Sequence, residues 1–207
     1  MQTALFYHPD QDTIQDFIST IKVPEFVRQA KRPYIIPELI TSRDLYAVHD
    51  PHYVDGVLDG RIPNGFTNRN ADVNRSIVAS NSNFVAAAYH ALDNRIACSA
   101  TQGFHHAHYD GNYGYCTFNG LLLAAVKMIG DGRVKRVLIL DGDGHHGDGT
   151  DDIIGRLSLR NIVHNVTRNA MVKLPEDTDA RGWSTFVGDL IEKHNPGIIM
   201  YQAGADA

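Results

Sequence analysis

Short apolar runs alternate with longer stretches of helical spacing along most of the chain. Residues 136–140 (RVLIL) form the strongest run, bounded by charged residues and glycines. Residues 4–7, 161–166 (NIVHNV) and 197–201 (GIIMY) have the same character, and 95–99 (RIACS) has it more weakly. Continuous apolar runs of this length predict parallel strands buried on both faces. Between them, residues 76–92 place apolar side chains at roughly helical intervals around a cluster of alanines. Residues 118–129 are rich in Leu and Ala and run into Gly130-Asp131-Gly132, a helix stop. Residues 151–157 predict a short helix and 183–194 a longer one, after which Asn195-Pro196-Gly197 turns the chain into the last strand. The polar stretch 62–75 (IPNGFTNRNADVNR) carries Pro and Gly and predicts a surface loop at the rim of a site.

Strand–helix alternation of this kind builds right-handed βαβ units. The expected fold is therefore α/β, a parallel sheet with helices on both faces, in a single domain over residues 1–207. Composition narrows the function. With 43% hydrophobic residues the chain can form a core, which excludes global disorder. Its 19 Lys+Arg against 24 Asp+Glu give a charge of −5, without the basic excess of a nucleic-acid binder. No apolar run approaches the ~20 residues that span a bilayer. The start, MQTALFYHPDQD, lacks the pattern of a signal peptide. The expectation is thus a cytoplasmic protein with neither nucleic-acid nor membrane partners. Cys98 and Cys116 make no disulfide framework, and Cys116 reads as small apolar filler.

Histidine changes the picture. There are 11, four of them in the tandem pairs His105-His106 and His145-His146. Three polar segments follow predicted strands, where open α/β sheets bind ligands. In the first, Asp141 to Gly149 (DGDGHHGDG), an extended chain would put Asp141, Asp143 and His145 on one face. Asp143 and His145 can then reach a common ion, as a carboxylate and an imidazole suited to zinc. The bland alternative is a solvated Asp/Gly turn. In the second (GFHHA), His105 and His106 can serve as general base and electrostatic partner, each needing a carboxylate on its far nitrogen. Asp141 and Asp148 are available for that; an exposed, idle histidine is the alternative. In the third, after GIIMY, Asp206 either caps a helix or supplies the third metal ligand, which would complete a catalytic set with an open position. Tyr115 and Phe118 read either as core aromatics or as walls of a narrow channel.

The segments GFHHAHYDGNYGYCTFNG, LDGDGHHGDGT, YQAGADA and VHDPHYVDGVL resemble the zinc-dependent histone deacetylase family, which includes acetylpolyamine amidohydrolases and acetoin-utilisation proteins. The resemblance runs from about Tyr46 to the C-terminus. It implies an arginase–deacetylase fold and hydrolysis of an acyl-amide bond, in acetyl-lysine, an acetylpolyamine or another acylated amine. It further implies that Asp143, His145 and Asp206 hold one Zn2+, with iron(II) or cobalt(II) as substitutes. His105 and His106 match the family's catalytic pair, Asp141 and Asp148 its acidic partners, and Gly114 and Tyr115 the lining of the acyl-lysine channel. A structural K+ is implied at the backbone carbonyls of Asp141, Asp143 and His145, with those near Ile162 and Val163 as further ligands.

Two departures follow from the same resemblance. The family's rim-loop aspartate corresponds to residues 65–68, which hold no carboxylate. The family's later tyrosine, which polarises the substrate carbonyl, has no counterpart before Ala207. The expectation is therefore a C-terminally truncated domain that is a poor deacetylase by itself and depends on an oligomer or a missing C-terminal segment. The rival functions are a non-catalytic metal- or acyl-lysine-binding fragment and a two-metal ureohydrolase, against which the tandem histidines argue.

Overall fold

The computed structural model describes residues 3–13, 18–167 and 179–204. Among the described residues, five short strands form two parallel sheets. β1 (Ala4–Phe6) pairs with β2 (Ala97–Ser99). β3 (Val137–Asp141) is the centre of a second sheet, flanked by β4 (Val163–Thr167) and β5 (Ile198–Gln202). In register, Asp141 lies opposite Thr167 on one side and Gln202 on the other, so all three strands end together. This is the α/β fold expected. Among the described residues, however, the strands form two sheets rather than one.

All five residues of β3 are buried, and strand alternation divides them between two cores. Val137 and Ile139 belong to the main core with α4 (Ala71–Asn94) and α5 (Gly120–Gly130). Leu138 and Leu140 join Val166 under Phe186, Val187 and Leu190 of α7 (Ala180–His194). Helices therefore cover both faces, which explains the unbroken apolar run in the sequence. Each aliphatic side chain so buried contributes roughly 1.5–3 kcal/mol relative to exposure. Among the described residues the remaining α-helices are α1 (Ile18–Ala30), α2 (Ser42–Leu45), α3 (Pro51–Leu58) and α6 (Asp148–Arg156), with a 3-10 helix at Pro9–Thr13. Among the described residues none is long and apolar enough to cross a membrane.

Three departures from expectation have a clear local cause. α1 carries Pro24 inside it, a residue that removes a helix hydrogen bond and hides the pattern. α3 opens on Asp50, whose carboxylate accepts from the amides of His52 and Tyr53, with Pro51 in the first turn. The loop expected over 62–75 stops short, because Asn70 caps α4 by accepting from the Asp72 amide at 2.8 Å.

α4 also buries a polar face. Ser76 and Ser80 hold Gln102, the first through the Gln102 side chain and the second through its amide, each at 3.0 Å. The chain is thereby anchored three residues before the first tandem histidine.

Candidate active site

The site is built where β3 ends. Asp141 is fully buried, and its two oxygens are fully engaged. Oδ2 accepts from His105 Nδ1 at 2.7 Å. Oδ1 accepts from the Asp143 amide at 3.1 Å and from Gln202 Nε2 on β5 at 3.0 Å. A carboxylate is acceptor-only when ionised, so His105 carries its proton on Nδ1 and presents Nε2. Burial alone would depress the His105 imidazole. The hydrogen bond and the charges of Asp141, Asp143 and Asp148 outweigh it and shift it upward.

The second pair repeats the first. His106 Nδ1 donates to Asp148 Oδ1 at 2.7 Å, and the two imidazole rings lie 4.0 Å apart. Asp148 begins α6, where the helix dipole favours negative charge. Partial burial raises its pKa, but hydrogen bonds from Tyr113 and His106 and nearby histidine charge prevail and hold it at about 2. Glycine makes these approaches possible. A Cβ on Gly147 would sit 2.6 Å from Asp141 Oδ2, and one on Gly149 would meet the backbone at Ala107 at 2.6 Å.

Asp143 and His145 also come together, but strand alternation is not the cause. The Asp143 amide donates to Asp141 Oδ1, and the His145 amide to Asp143 Oδ1 at 2.9 Å, so two successive side-chain turns curl the segment. His145 Nδ1 then lies 3.2 Å from Asp143 Oδ1. Asp206 lies outside the described residues. The chain leading to it passes hard against Asp143: a Cβ on Gly204 would fall 2.4 Å from Asp143 Cα. One hard carboxylate and one imidazole, on a segment that only glycine could pass so closely, fit a divalent ion. Among the described residues no group of three such ligands is present. His146 belongs elsewhere, with Nε2 3.0 Å from Asp151.

The expectation for Ile162 and Val163 needs correcting. They lie at the opposite end of the β3–β4 ladder, where Val163 faces Val137, and the Ile162 carbonyl already accepts from the Val137 amide. Four residues of strand, roughly 13 Å, separate them from Asp141, so they cannot share an ion with it.

Gly114 and Tyr115 both adopt positive φ, +56° and +64°. The Tyr115 amide donates to the Gly65 carbonyl at 3.0 Å, which brings the 65–68 stretch alongside. Tyr115 is half exposed with its ring 5.5 Å from Phe66, so it lies at the surface instead of in the core. Phe118, by contrast, is buried in the main core. Cys116 is buried as expected, and burial pushes its thiol up to about 12.

Three supporting residues were not anticipated. His49 is buried; Nδ1 donates to the His108 carbonyl at 2.8 Å and Nε2 accepts from the Asn119 amide at 2.9 Å. Asn119 caps α5 and reaches Thr150 Oγ1 at 3.0 Å. Tyr113 donates to Asp148 Oδ2 and stacks on His106. The HHGD and HHAH segments stand out by composition, whereas His49 lies far away in sequence and Tyr113, seven residues after His106, resembles any other aromatic there.

This fold and site define a class. Residues 9–158 match the histone deacetylase domain, and the chain belongs to the histone deacetylase family. A Picosynechococcus protein described as uncharacterized is 27% identical to it over 236 positions, covering 100% of this chain and 78% of that protein. The probable histone deacetylase 19 of Zea mays is 28% identical over 137 residues, 54% of this chain but only 26% of its own length. Among solved structures, the acetylpolyamine aminohydrolase from Burkholderia pseudomallei superposes with a TM-score of 0.71 at 18% identity, covering 98% of this chain and 82% of its own.

Proposed function

We propose that this chain carries the catalytic centre of a metal-dependent amidohydrolase that removes an acyl group from an amine, acetyl-lysine or an acetylated polyamine being the substrate class. One observation carries the reading: two histidines in ring contact, each backed by its own aspartate at 2.7 Å. Such a doubled dyad suits a reaction that takes a proton from water and returns one to a departing amine.

Asp143, His145 and Asp206 would hold the divalent ion, zinc by preference. When bound, that ion supplies Lewis-acid polarisation and a lowered water pKa. The remaining work falls to the chain. Asp148 fixes His106 with its proton on Nδ1, leaving Nε2 free to accept a proton from the attacking water. Asp141, sealed from solvent, stabilises charge on His105 beside it. The pair then delivers a proton to the amine nitrogen as the C–N bond breaks. Gly114, lying against the edge of the His106 ring, and Tyr115 would line the path of the acyl-amine.

The test is turnover of an acetyl-lysine fluorogenic peptide and of N-acetylputrescine, after chelation and after zinc is restored. Zinc-restored turnover, slow for this chain and absent in His106→Ala, is the expected result. Zinc binding without turnover of either substrate would instead identify a binding module.

A further inference from the structure

The aspartate behind His106 is less secure than the one behind His105. Asp141 is sealed in the sheet, whereas the Asp148 side chain is 37% exposed at the start of a surface helix. His108 competes for it: His108 Nε2 lies 3.4 Å from Asp148 Oδ2, and its Nδ1 is 3.5 Å from Asp152 Oδ2. A carboxylate in that position can rotate toward His108 or toward water.

Tyr113 opposes this movement in two ways. Its hydroxyl donates to Asp148 Oδ2, which leaves Oδ1 for His106 Nδ1. Its ring lies over the His106 ring at 4.6 Å and 29° from parallel, covering the imidazole. Although Tyr113 is 46% exposed, its backbone is fastened. Its carbonyl accepts from the Cys116 amide at 3.0 Å. The adjacent Asn112 side chain donates to Tyr53 Oη at 2.9 Å and to the Pro63 carbonyl at 3.0 Å.

We propose that Tyr113 is a positioning residue that holds Asp148, and through it His106, in the orientation needed for proton transfer. The inference rests on the reading of His106 as the base. A half-exposed tyrosine with only a surface role would contribute nothing to the order of the His106 ring. A positioning residue must do so, because its hydroxyl selects which Asp148 oxygen His106 receives.

The test uses the zinc-restored full chain with Y113F, which deletes only the hydroxyl, and Y113A, which also removes the stacked ring. Two readouts are taken: long-range 1H–15N NMR of the histidine rings, and steady-state kinetics on the acetyl-lysine peptide. In the unmodified protein His106 should be a single tautomer protonated at Nδ1. In Y113F the His106 signals should broaden or split, and kcat should fall about tenfold with KM within about twofold, a split that marks a lost transition-state interaction. Y113A should lose at least as much. Unchanged ring signals in Y113F overturn the proposal, as does a disturbed ring with unchanged kcat. If the unmodified chain has no turnover, the functional reading fails, and the ring signals alone then decide the role of Tyr113.

Discussion

Gly114 lies so close to His106 that a methyl group added to it would sit 2.7 Å from the imidazole Cδ2. The same residue has φ +56°, a conformation that side chains resist. Gly114→Ala should therefore push the ring away from its aspartate and strain the loop. The expected outcome is turnover lower by at least about 10²-fold, the scale of lost general acid–base catalysis. Stability should fall by roughly 1–2 kcal/mol, from the left-handed conformation alone. Kinetics and thermal melting of the same sample separate the two effects.

Metal retention sorts the site residues by role. Asp143→Ala should abolish tight divalent-ion binding, whereas His105→Ala and His106→Ala should keep it while losing turnover. Elemental analysis after chelation, zinc reconstitution and dialysis is the check. Stoichiometric zinc in Asp143→Ala would remove that residue from the ligand set.

Asp141→Asn should be costly well beyond catalysis. The carboxylate accepts three hydrogen bonds while fully buried. An amide turns one acceptor into a donor facing donors, and an unsatisfied buried group costs about 1–3 kcal/mol. Urea unfolding should report a loss of that size, together with the loss of turnover.

His49 gives the fold a dependence on acid. Burial moves its pKa down from 6.5 to about 4, so the unfolded chain binds the proton first as pH falls. Its contribution is complete above about 6.5 and shrinks as pH drops toward 4. The loss approaches roughly 3 kcal/mol by about pH 4. Unfolding free energies measured along a pH series should show the decline, and His49→Gln should flatten that part of it.

Cys116 should be chemically silent. A buried thiol pushed up to about 12 offers almost no thiolate near neutrality. Alkylation followed by peptide mass spectrometry should find Cys116 unmodified until denaturant is added, although it packs 3.2 Å from the position of a Gly103 Cβ beside the site.

The sequence displays what is locally coded. The run at 137–141 is legible because burial on both faces requires apolar residues throughout, and the strand lies within one residue of its expected bounds. The tandem histidines and the aspartates around them are legible because so many ionisable groups in so few residues suit little besides chemistry. Their pairing is not local: His105 meets Asp141 across 36 residues and His106 meets Asp148 across 42. The supply of aspartates made that pairing foreseeable in outline. His49 was hidden because a single histidine before a helix resembles any other, and its partners lie 59 and 70 residues away. Tyr113 was hidden because Tyr115, one glycine later, carried the family pattern. The curl of Asp143 and His145 was missed because an Asp-Gly-Asp segment can extend or turn, and the side-chain hydrogen bonds decide it for the turn.

The two histidine–aspartate pairs stand on unequal mechanical ground. Asp141 is the last residue of the innermost strand, so it can move only if the sheet opens. The amides of 137–141 should exchange with solvent at the rate of global unfolding. Asp148 rides on the outer rim, attached to a nine-residue helix and a tyrosine loop. A ligand, a contact or a substitution that nudges that rim can retune one histidine while its twin stays fixed. The centre thus has a stator and a trimmer, and any adjustment of its reactivity enters through the trimmer.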